Sequence, residues 1–386
     1  MKFQLRDIRL IQLCIAMSVF SQIDVVSFIF RPLMYMFWCI TIVYYIIKYA
    51  KEFYLNNVTK VFLSSYVILL VLCIIASIIT KDHLKGNYIH IMIIPLLVTI
   101  IGGIFGQNCT EAEMQIILKT YVFCTLIYAI WVHLTYYASY SDWLKQTMYA
   151  FLQKNSAAQI WSVGVLISLF LIDYKSKIQK IIGYIVAAYL IVISGISQCR
   201  TALLALGVVA CMYILFKSKH KIRWIVIFIF LFVFMWNFSI TRNFIDQALF
   251  LTKYEGADLN TFSSGRLGHW QTAINVFWEN PILGIGKYYV DCSYLCVLAE
   301  SGIIGFILVE AVWILRIYYN FHKTNFKAQD FLFCITLFYL VESFLEGYPP
   351  FGPGVSSFMF WFLSSIYTIR KNKAIKKIQS ESYAHE

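Results

Sequence analysis

Charged residues are scarce in this chain of 386 residues. Asp, Glu, Lys and Arg make up 13% of it, whereas hydrophobic residues make up 60% and the mean hydropathy is +0.70. Because a soluble globular domain has about 25% charged residues, this composition excludes one. Apolar stretches of roughly 17 to 25 residues recur along the whole sequence, so neither a signal peptide nor a single anchor explains them. The sequence therefore predicts an integral membrane protein.

Three further kinds of sequence signal are missing. The ten cysteines occur singly, and no CxxC pair or Cys/His cluster has the spacing of a zinc site. The segment GIGK at 284–287 lacks both the first spaced glycine and the Ser/Thr of a phosphate-binding P-loop, so it does not predict nucleotide binding. No internal repeat is visible in the sequence. We expect neither a metal ion nor another cofactor.

Twelve hydrophobic segments predict an all-α polytopic membrane protein that forms a single domain over residues 1–386. The predicted membrane-spanning helices cover approximately 8–23, 29–47, 61–80, 88–105, 116–138, 157–173, 178–197, 200–216, 222–240, 291–315, 329–345 and 354–369. If the N-terminus is cytoplasmic, at least 21 of the 32 Lys and Arg residues lie on the cytoplasmic side. Positive charge accumulates on that side of membrane proteins, so both termini are predicted to be cytoplasmic. The net charge of +12 is then explained by the orientation of the chain in the membrane, so nucleic acid is not expected as a partner.

One outer segment, residues 241–290 between the ninth and tenth spans, is much longer than the other loops. Ser263 or Ser264 is placed to cap a helix that begins near Gly265. Apolar residues then recur along one helical face, at Leu267, Trp270, Ile274 and Phe277. The pattern predicts an amphipathic helix that lies at the outer membrane interface and ends before Pro281.

Two arginines are the first candidates for function, because an ionised residue costs roughly 2.5–3.5 kcal/mol in the middle of a membrane helix. Arg200 lies in a tight outer hairpin between spans seven and eight, and Arg266 lies at the head of the loop helix. Since a guanidinium matches phosphate oxygens and a helix N-terminus favours an anion, the two arginines predict an anion clamp. His269, one turn further on, is a candidate for phosphate binding or proton transfer. The alternative is that all three side chains face lipid headgroups or solvent.

Carboxylates are predicted at the same outer end. Asp291 and Glu300 lie at the start of span ten, and we expect Glu300 to pair with an arginine. Glu342 and Glu346 are one turn apart at the end of span eleven and therefore share a helical face. We interpret Asp291 and Glu300 as candidate catalytic residues, and Glu342 as a candidate substrate-binding residue.

Further polar residues are predicted to contact the substrate from the same side. Lys154 and Asn155 precede span six, and Arg242 stands at the start of the long loop. The sequence predicts only that two cations and one amide face the outer side here, and it assigns these three residues no catalytic role.

Several segments together resemble the O-antigen ligase/polymerase family of bacterial envelope glycosyltransferases. QKNSAAQIWSVG is similar to its loop motif ahead of a span, and SGISQCRTALLAL is similar to its Ser-x-x-Arg-Thr hairpin. More specifically, SSGRLGHWQTAINVFWENPILGIG resembles its Ser-Gly-Arg…Trp…Asn-Pro…Gly-x-Gly signature, and DCSYLCVLAESGIIG resembles the Tyr-Leu…Glu-x-Gly-x-x-Gly helix that follows. The resemblance covers about residues 150–365.

The resemblance implies glycan transfer at the periplasmic face of the bacterial inner membrane, from undecaprenyl-diphosphate-linked sugars. Arg200 and Arg266 would hold the lipid diphosphate without a metal ion. The ligase branch of the family has a histidine where this sequence has Asp291, which favours a Wzy-type polymerase. The general base stays open, with Asp291, Glu300, His269 and Glu342 as candidates in that order.

The sequence thus predicts a repeat-unit polymerase of O-antigen, capsule or a related polysaccharide, whose donor and acceptor are both lipid-linked oligosaccharides. Trp270, Tyr294 and Tyr348 are candidates to stack on sugars, although an aromatic belt at the membrane interface is an alternative for them. A ligase of the same fold and a lipid-linked oligosaccharide flippase are the competing hypotheses. Because transporters of that kind tend to show internal symmetry and charges at the midplane, the sequence favours a transferase. A chain-length regulator and a flippase of the same pathway are further expected partners.

Overall fold

The computed structural model describes residues 5–49, 56–80, 87–144, 154–249, 256, 258–322, 328–352 and 354–383. These ranges contain sixteen helices and no strand, which confirms the all-α prediction. The helices are α1 (Leu5–Phe20), α2 (Ser27–Lys48), α3 (Asn57–Thr80), α4 (Asn87–Asn108), α5 (Glu111–Tyr136), α6 (Tyr140–Leu144), α7 (Lys154–Phe170), α8 (Lys177–Ile196), α9 (Arg200–Phe216), α10 (Lys221–Asn237), α11 (Ser239–Leu249), α12 (Leu259–Phe262), α13 (Arg266–Glu279), α14 (Ser293–Phe321), α15 (Gln329–Leu345) and α16 (Gly354–Tyr383).

Every predicted span coincides with one of these helices. By length and composition, six helices in the described ranges are able to cross a membrane: α2, α3, α4, α5, α8 and α14. The pair α10 and α11, bent by 107°, would make a seventh. The structure therefore agrees with a polytopic membrane protein, and the count of twelve spans stays a prediction.

Among the described helices, α4 and α16 pack most closely against each other. A Cβ atom on Gly102 would lie 2.6 Å from the backbone oxygen of Phe362, and one on Gly106 would lie 2.7 Å from that of Ile366. In addition, the Ser365 hydroxyl donates a hydrogen bond of 2.8 Å to the Thr99 carbonyl. Small residues spaced four apart let two membrane helices approach to backbone contact, where dispersion and polar contacts replace the hydrophobic effect. These two helices form the centre of the bundle.

The described part of segment 241–290, which is predicted to be outer, is mostly helical, since it contains nearly all of α11 together with α12 and α13. Helix α13 ends at Glu279, as predicted from the following Asn-Pro, but the predicted serine cap is wrong. Its N-cap is Gly265, with φ +82° and no side-chain hydrogen bond. The two serine hydroxyls have other partners: Ser263 donates to the Asn260 carbonyl (2.8 Å), and Ser264 accepts from Arg200 (2.6 Å).

After α13, residues 281–286 lie directly against α14, which is broken at Gly302 with φ +62° and ψ −167°. The Ile285 and Gly286 N–H groups donate to the Ala299 and Glu300 carbonyls, at 3.0 and 2.9 Å. In return, the Ile303 N–H donates to the Pro281 carbonyl at 2.9 Å. We call this backbone contact, between residues 281–286 and 299–304, the glycine lock.

Two glycines make the glycine lock possible. Gly284 and Gly302 both have positive φ, which strains any residue with a side chain. A Cβ atom on Gly284 would overlap the Glu300 carbonyl group, and one on Gly302 would overlap that of Ile282. The Gly-x-Gly and Glu-x-Gly segments of the sequence are therefore two sides of one contact.

We expect Gly302→Ala and Gly284→Ala to destabilise the protein by at least ~2 kcal/mol, because each adds backbone strain and an overlap with main-chain atoms. The melting temperature of the detergent-purified protein should fall by at least about 2 °C. Gly207→Ala on α9 is the matched control, because a Cβ there meets no atom within 4 Å. Equal melting temperatures for the Gly302→Ala and Gly207→Ala proteins would show that the glycine lock contributes nothing to stability.

Candidate functional site

Five structural elements meet at one end of the bundle. They are the first residues of α7, α9 and α13, the segment that precedes α14, and the last turn of α15. Each contributes one polar residue, namely Asn155, Arg200, Arg266, Asp291 and Glu346, which we call the arginine–carboxylate cluster. The positive-inside rule predicts this end of the bundle to be the outer one.

Arg266 is held between two carboxylates. Its Nη2 donates a hydrogen bond of 3.1 Å to Oε1 of Glu346, and its Nε lies 3.4 Å from Oδ2 of Asp291. The side chain is 18% exposed. A guanidinium has five N–H donors, and these contacts engage two of them within the described residues. The orientation of the group is thus fixed while donors remain for a ligand.

Glu346 lies at the C-terminal end of α15 and is almost fully buried. Nδ2 of Asn155 is 3.1 Å from both of its carboxylate oxygens, so α7 and α13 both donate to this one side chain. Burial raises the pKa of the Glu346 carboxyl, as does the nearby charge of Asp291, whereas Arg266, Asn155 and Thr201 favour the charged form. The charged form of Glu346 is therefore stabilised by a few specific donors rather than by solvent.

Glu342 lies one turn deeper on α15 and is fully buried. Nε2 of Gln159 donates to its Oε2 at 2.9 Å, and Ser356 donates to Oε1 of the same glutamine at 2.6 Å. Helix α7 thus supplies one amide to each glutamate, Asn155 to Glu346 and Gln159 to Glu342. This arrangement confirms that the two glutamates share a helical face, as their spacing predicted.

Arg200 connects α9 to the turn that precedes α13. Its Nη2 donates to the Ser264 hydroxyl at 2.6 Å, and Ser264 stands two residues before Arg266. The next residue on α9, Thr201, favours the charged form of Glu346. Two arginines that lie far apart in the sequence are therefore brought to the same turn, which is the convergence that the anion clamp requires.

Asp291 links the cluster to a group of aromatic rings. Its Oδ1 accepts a hydrogen bond of 2.8 Å from the Tyr289 hydroxyl, and its backbone oxygen accepts one of 2.9 Å from Nε1 of Trp270. The Tyr289 ring is 54% exposed and lies 5.2 Å from the Tyr348 ring. Trp270 and Tyr348, both predicted to contact sugars, thus lie next to the cluster.

Sequence reasoning missed Tyr289. The signal that could have found it is the spacing of two residues between Tyr289 and Asp291 in a segment without helical structure, because alternate side chains of an extended chain point the same way. Gly347 also contributes here, since a Cβ on it would lie 2.6 Å from the Tyr289 ring.

Other candidates lie outside these contacts. His269 is exposed on α13, and Arg242 lies over the Trp236 ring at 5.2 Å. Tyr294 packs against Phe344 at 4.8 Å further along α14. None of the three has a hydrogen bond or an ion pair with the cluster within the described residues.

Two more candidates have mainly backbone contacts. The Glu300 carbonyl belongs to the glycine lock, and its Oε1 accepts a hydrogen bond of 2.9 Å from the backbone N–H of Tyr88, where we expected an arginine. Lys154 is the first residue of α7 and precedes Asn155. Its backbone carbonyl accepts a hydrogen bond of 3.3 Å from Sγ of Cys199.

The comparison with known protein families gives one match. Residues 185–310 match the model of the family described as O-Antigen ligase. The matched segment runs from within α8 to within α14, so it includes Arg200, Arg266 and Asp291 as well as the glycine lock. No curated protein matches the chain. Over residues 185–310, the sequence is therefore similar to this family, which agrees with the resemblance seen in the motifs of that segment.

Proposed function

We propose that this protein is a polysaccharide repeat-unit polymerase of the bacterial inner membrane. It transfers a glycan from undecaprenyl diphosphate to the terminal sugar of another lipid-linked repeat unit, at the periplasmic face. The observation that carries the proposal is the meeting of Arg200 and Arg266 at one turn, beside buried carboxylates. The family match supports a membrane glycosyltransferase of this kind.

The chemistry requires stabilisation of the leaving group. A hydroxyl of the acceptor attacks the anomeric carbon of the donor sugar, and the bond from that carbon to the diphosphate oxygen breaks. Negative charge then accumulates on the diphosphate, where preorganised cationic donors are most effective. Arg200 and Arg266 supply such donors, since a guanidinium binds phosphate through charge-assisted and often bidentate hydrogen bonds. The proposal therefore needs no metal ion.

The surroundings of the cluster suit a substrate with a lipid, a diphosphate and sugars. Helices α9 and α13 begin with the two arginines, so their N-terminal N–H groups and partial positive charge lie at the same place. Lys154 adds a cation at the start of α7. The exposed ring of Tyr289, held by its hydroxyl and by Tyr348, offers an apolar face of the kind that packs on sugars.

A ligase of the same fold is the second candidate, because the matching family is described as O-Antigen ligase. The polymerase is preferred because Asp291 stands where the ligase branch has a histidine. A flippase is the third candidate and the least favoured, since the cationic residues of the site gather at one end of the bundle rather than along a path through it.

In a strain that lacks this gene, we expect Arg200→Ala and Arg266→Ala to leave surface polysaccharide with a single attached repeat unit. Each substitution removes half of the charge that neutralises the leaving diphosphate, so polymer should fall at least 100-fold. Ladder gels of the polysaccharide, with protein levels checked, measure this. Lys287→Ala is the control, because this exposed lysine belongs to the same loop and should retain wild-type ladders.

The same gels separate the three candidates. Loss of every attached unit, with lipid-linked polymer accumulating on the periplasmic side, would establish the ligase instead. Repeat units trapped on the cytoplasmic leaflet would establish the flippase and disprove the polymerase.

Ser264→Ala tests whether the turn orients Arg200. Loss of a hydrogen bond to a charged group costs about 1.5–3 kcal/mol, so we expect the KM for the lipid-linked donor to rise roughly tenfold or more. Ser263→Ala is the matched control, because the neighbouring hydroxyl donates to the Asn260 carbonyl instead. Equal KM values for the two variants would show that the contact of Arg200 with Ser264 does not position the arginine for donor binding.

A further inference from the structure

We propose that Glu346 is the general base of the transfer, and that it takes the proton of the acceptor hydroxyl once the donor diphosphate has drawn Arg266 away from it. This inference rests on the proposed function and assigns a role to a residue outside the candidate bases considered from the sequence. In this mechanism the ion pair of Arg266 with Glu346 is the resting state, and it is broken during every catalytic cycle.

The position of Glu346 is the first argument. Its carboxylate accepts hydrogen bonds from two helices, through Asn155 on α7 and Arg266 on α13, and Thr201 on α9 also favours its charged form. Glu346 therefore lies close to both arginines that are proposed to bind the diphosphate. It contacts Arg266, and Arg200 precedes Thr201 in the chain. A base at this point lies beside the bond that breaks.

Charge balance is the second argument. Within the cluster, the carboxylates Asp291 and Glu346 both pair with Arg266, while Arg200 donates to Ser264. A bound diphosphate brings further negative charge, and it competes with both carboxylates for the same guanidinium. Because the Arg266 ion pairs are single contacts of 3.1 and 3.4 Å, a bidentate phosphate ligand is able to displace them.

The consequence for Glu346 follows from what remains around it. Among the described residues, the charged and titratable groups that face it are Arg266, Asp291, Glu342, Cys199 and Tyr289. Arg266 is the only cation in this set, so its departure leaves a buried carboxylate beside two other acids. Burial and the charge of Asp291 already raise the pKa of the Glu346 carboxyl, and loss of the arginine raises it further. Donor binding thus converts a salt-bridged carboxylate into a proton acceptor.

Asn155 keeps the new base in place. Its Nδ2 lies 3.1 Å from both carboxylate oxygens, and this contact does not depend on Arg266. Asp291 is the weaker choice, because its side chain is 36% exposed against 7% for Glu346, and solvent screens the change in charge. Glu342 is the weaker choice too, since it is fully buried one turn deeper and contacts Gln159 instead of the arginine.

The step balances without any further reagent. The acceptor oxygen forms a bond to the anomeric carbon, the bond from that carbon to the diphosphate breaks, and its electron pair leaves with the lipid diphosphate. The hydroxyl proton passes to a carboxylate oxygen of Glu346. When the lipid diphosphate departs, Arg266 returns and the proton is released to water.

The test compares Glu346→Gln with Asp291→Asn in the purified full-length protein. Each substitution keeps the shape of the side chain and one acceptor oxygen, whereas it removes the charge and replaces the other oxygen by an NH2 group. The measurements are donor affinity and the rate of glycosidic bond formation, both with a lipid-diphosphate-linked repeat unit. We expect Glu346→Gln to lower the rate at least 100-fold, within the usual range for loss of a general base. Donor affinity should stay equal or increase, because a competitor for Arg266 is gone.

Two further readouts separate a base from a structural residue. A base must be deprotonated, so the wild-type rate should rise with pH through the Glu346 group, and this rise should be absent from the residual activity of Glu346→Gln. Added formate should raise the rate of Glu346→Ala at least tenfold, and it should leave Asp291→Ala unchanged. Formate rescue shows in addition that the variant is folded.

Three results would overturn the inference. The first is a rate for Glu346→Gln within threefold of wild type, and the second is a rate that rises with pH in Glu346→Gln but not in Asp291→Asn. The third is a Glu346→Ala protein that still binds donor but whose rate does not increase with formate. Failure of the proposed function looks different, because the wild-type protein would then form no glycosidic bond between two lipid-linked repeat units under any condition.

Discussion

The glycine lock is the constraint on which the rest of the site depends. Two chain segments touch through their backbones at Gly284 and Gly302, and a Cβ atom at either position would overlap main-chain atoms of the other segment. This contact fixes the end of the long outer segment on α14. Helix α13 begins with Arg266 and leads directly into the lock, and Asp291 follows the lock. The lock therefore sets where both residues lie.

Electrostatics decides what that geometry can do. Charged groups are scarce in this protein, and the ion pair of Arg266 with Glu346 lies where water is largely excluded, since the two side chains are 18% and 7% exposed. At low dielectric, each ion pair is strong while an unpaired charge is costly. Arg266 consequently has carboxylate partners in the structure, and an anionic ligand has to exchange with them. If the cluster binds the diphosphate as proposed, a single guanidinium couples ligand binding to proton affinity, because the cation leaves one carboxylate when it binds the ligand.

A large part of the fold was predictable from hydropathy. All twelve predicted spans coincide with helices, and α13 lies where the spacing of apolar residues and the Asn-Pro break predicted a helix. Arg200 and Arg266 were predicted to lie at the same end of the bundle, and the contact of Arg200 with Ser264 agrees with this. The serine cap of α13 was wrong, since backbone angles at Ser264 and Gly265, which depend on contacts with Arg200 and Asn260, cannot be read from residue types.

The sequence by itself determined that the chain is helical and apolar, where its helices lie, and which few residues carry charge near one end. Local composition is sufficient for these properties, because hydrophobic length and helix signals act over short stretches of chain. Only the tertiary structure decided that Glu346 is shared by Asn155 and Arg266, and that the Tyr289 ring lies against the Tyr348 ring. These pairings join residues far apart in the sequence, and they depend on helix rotation and register, which are set by packing and the glycine lock.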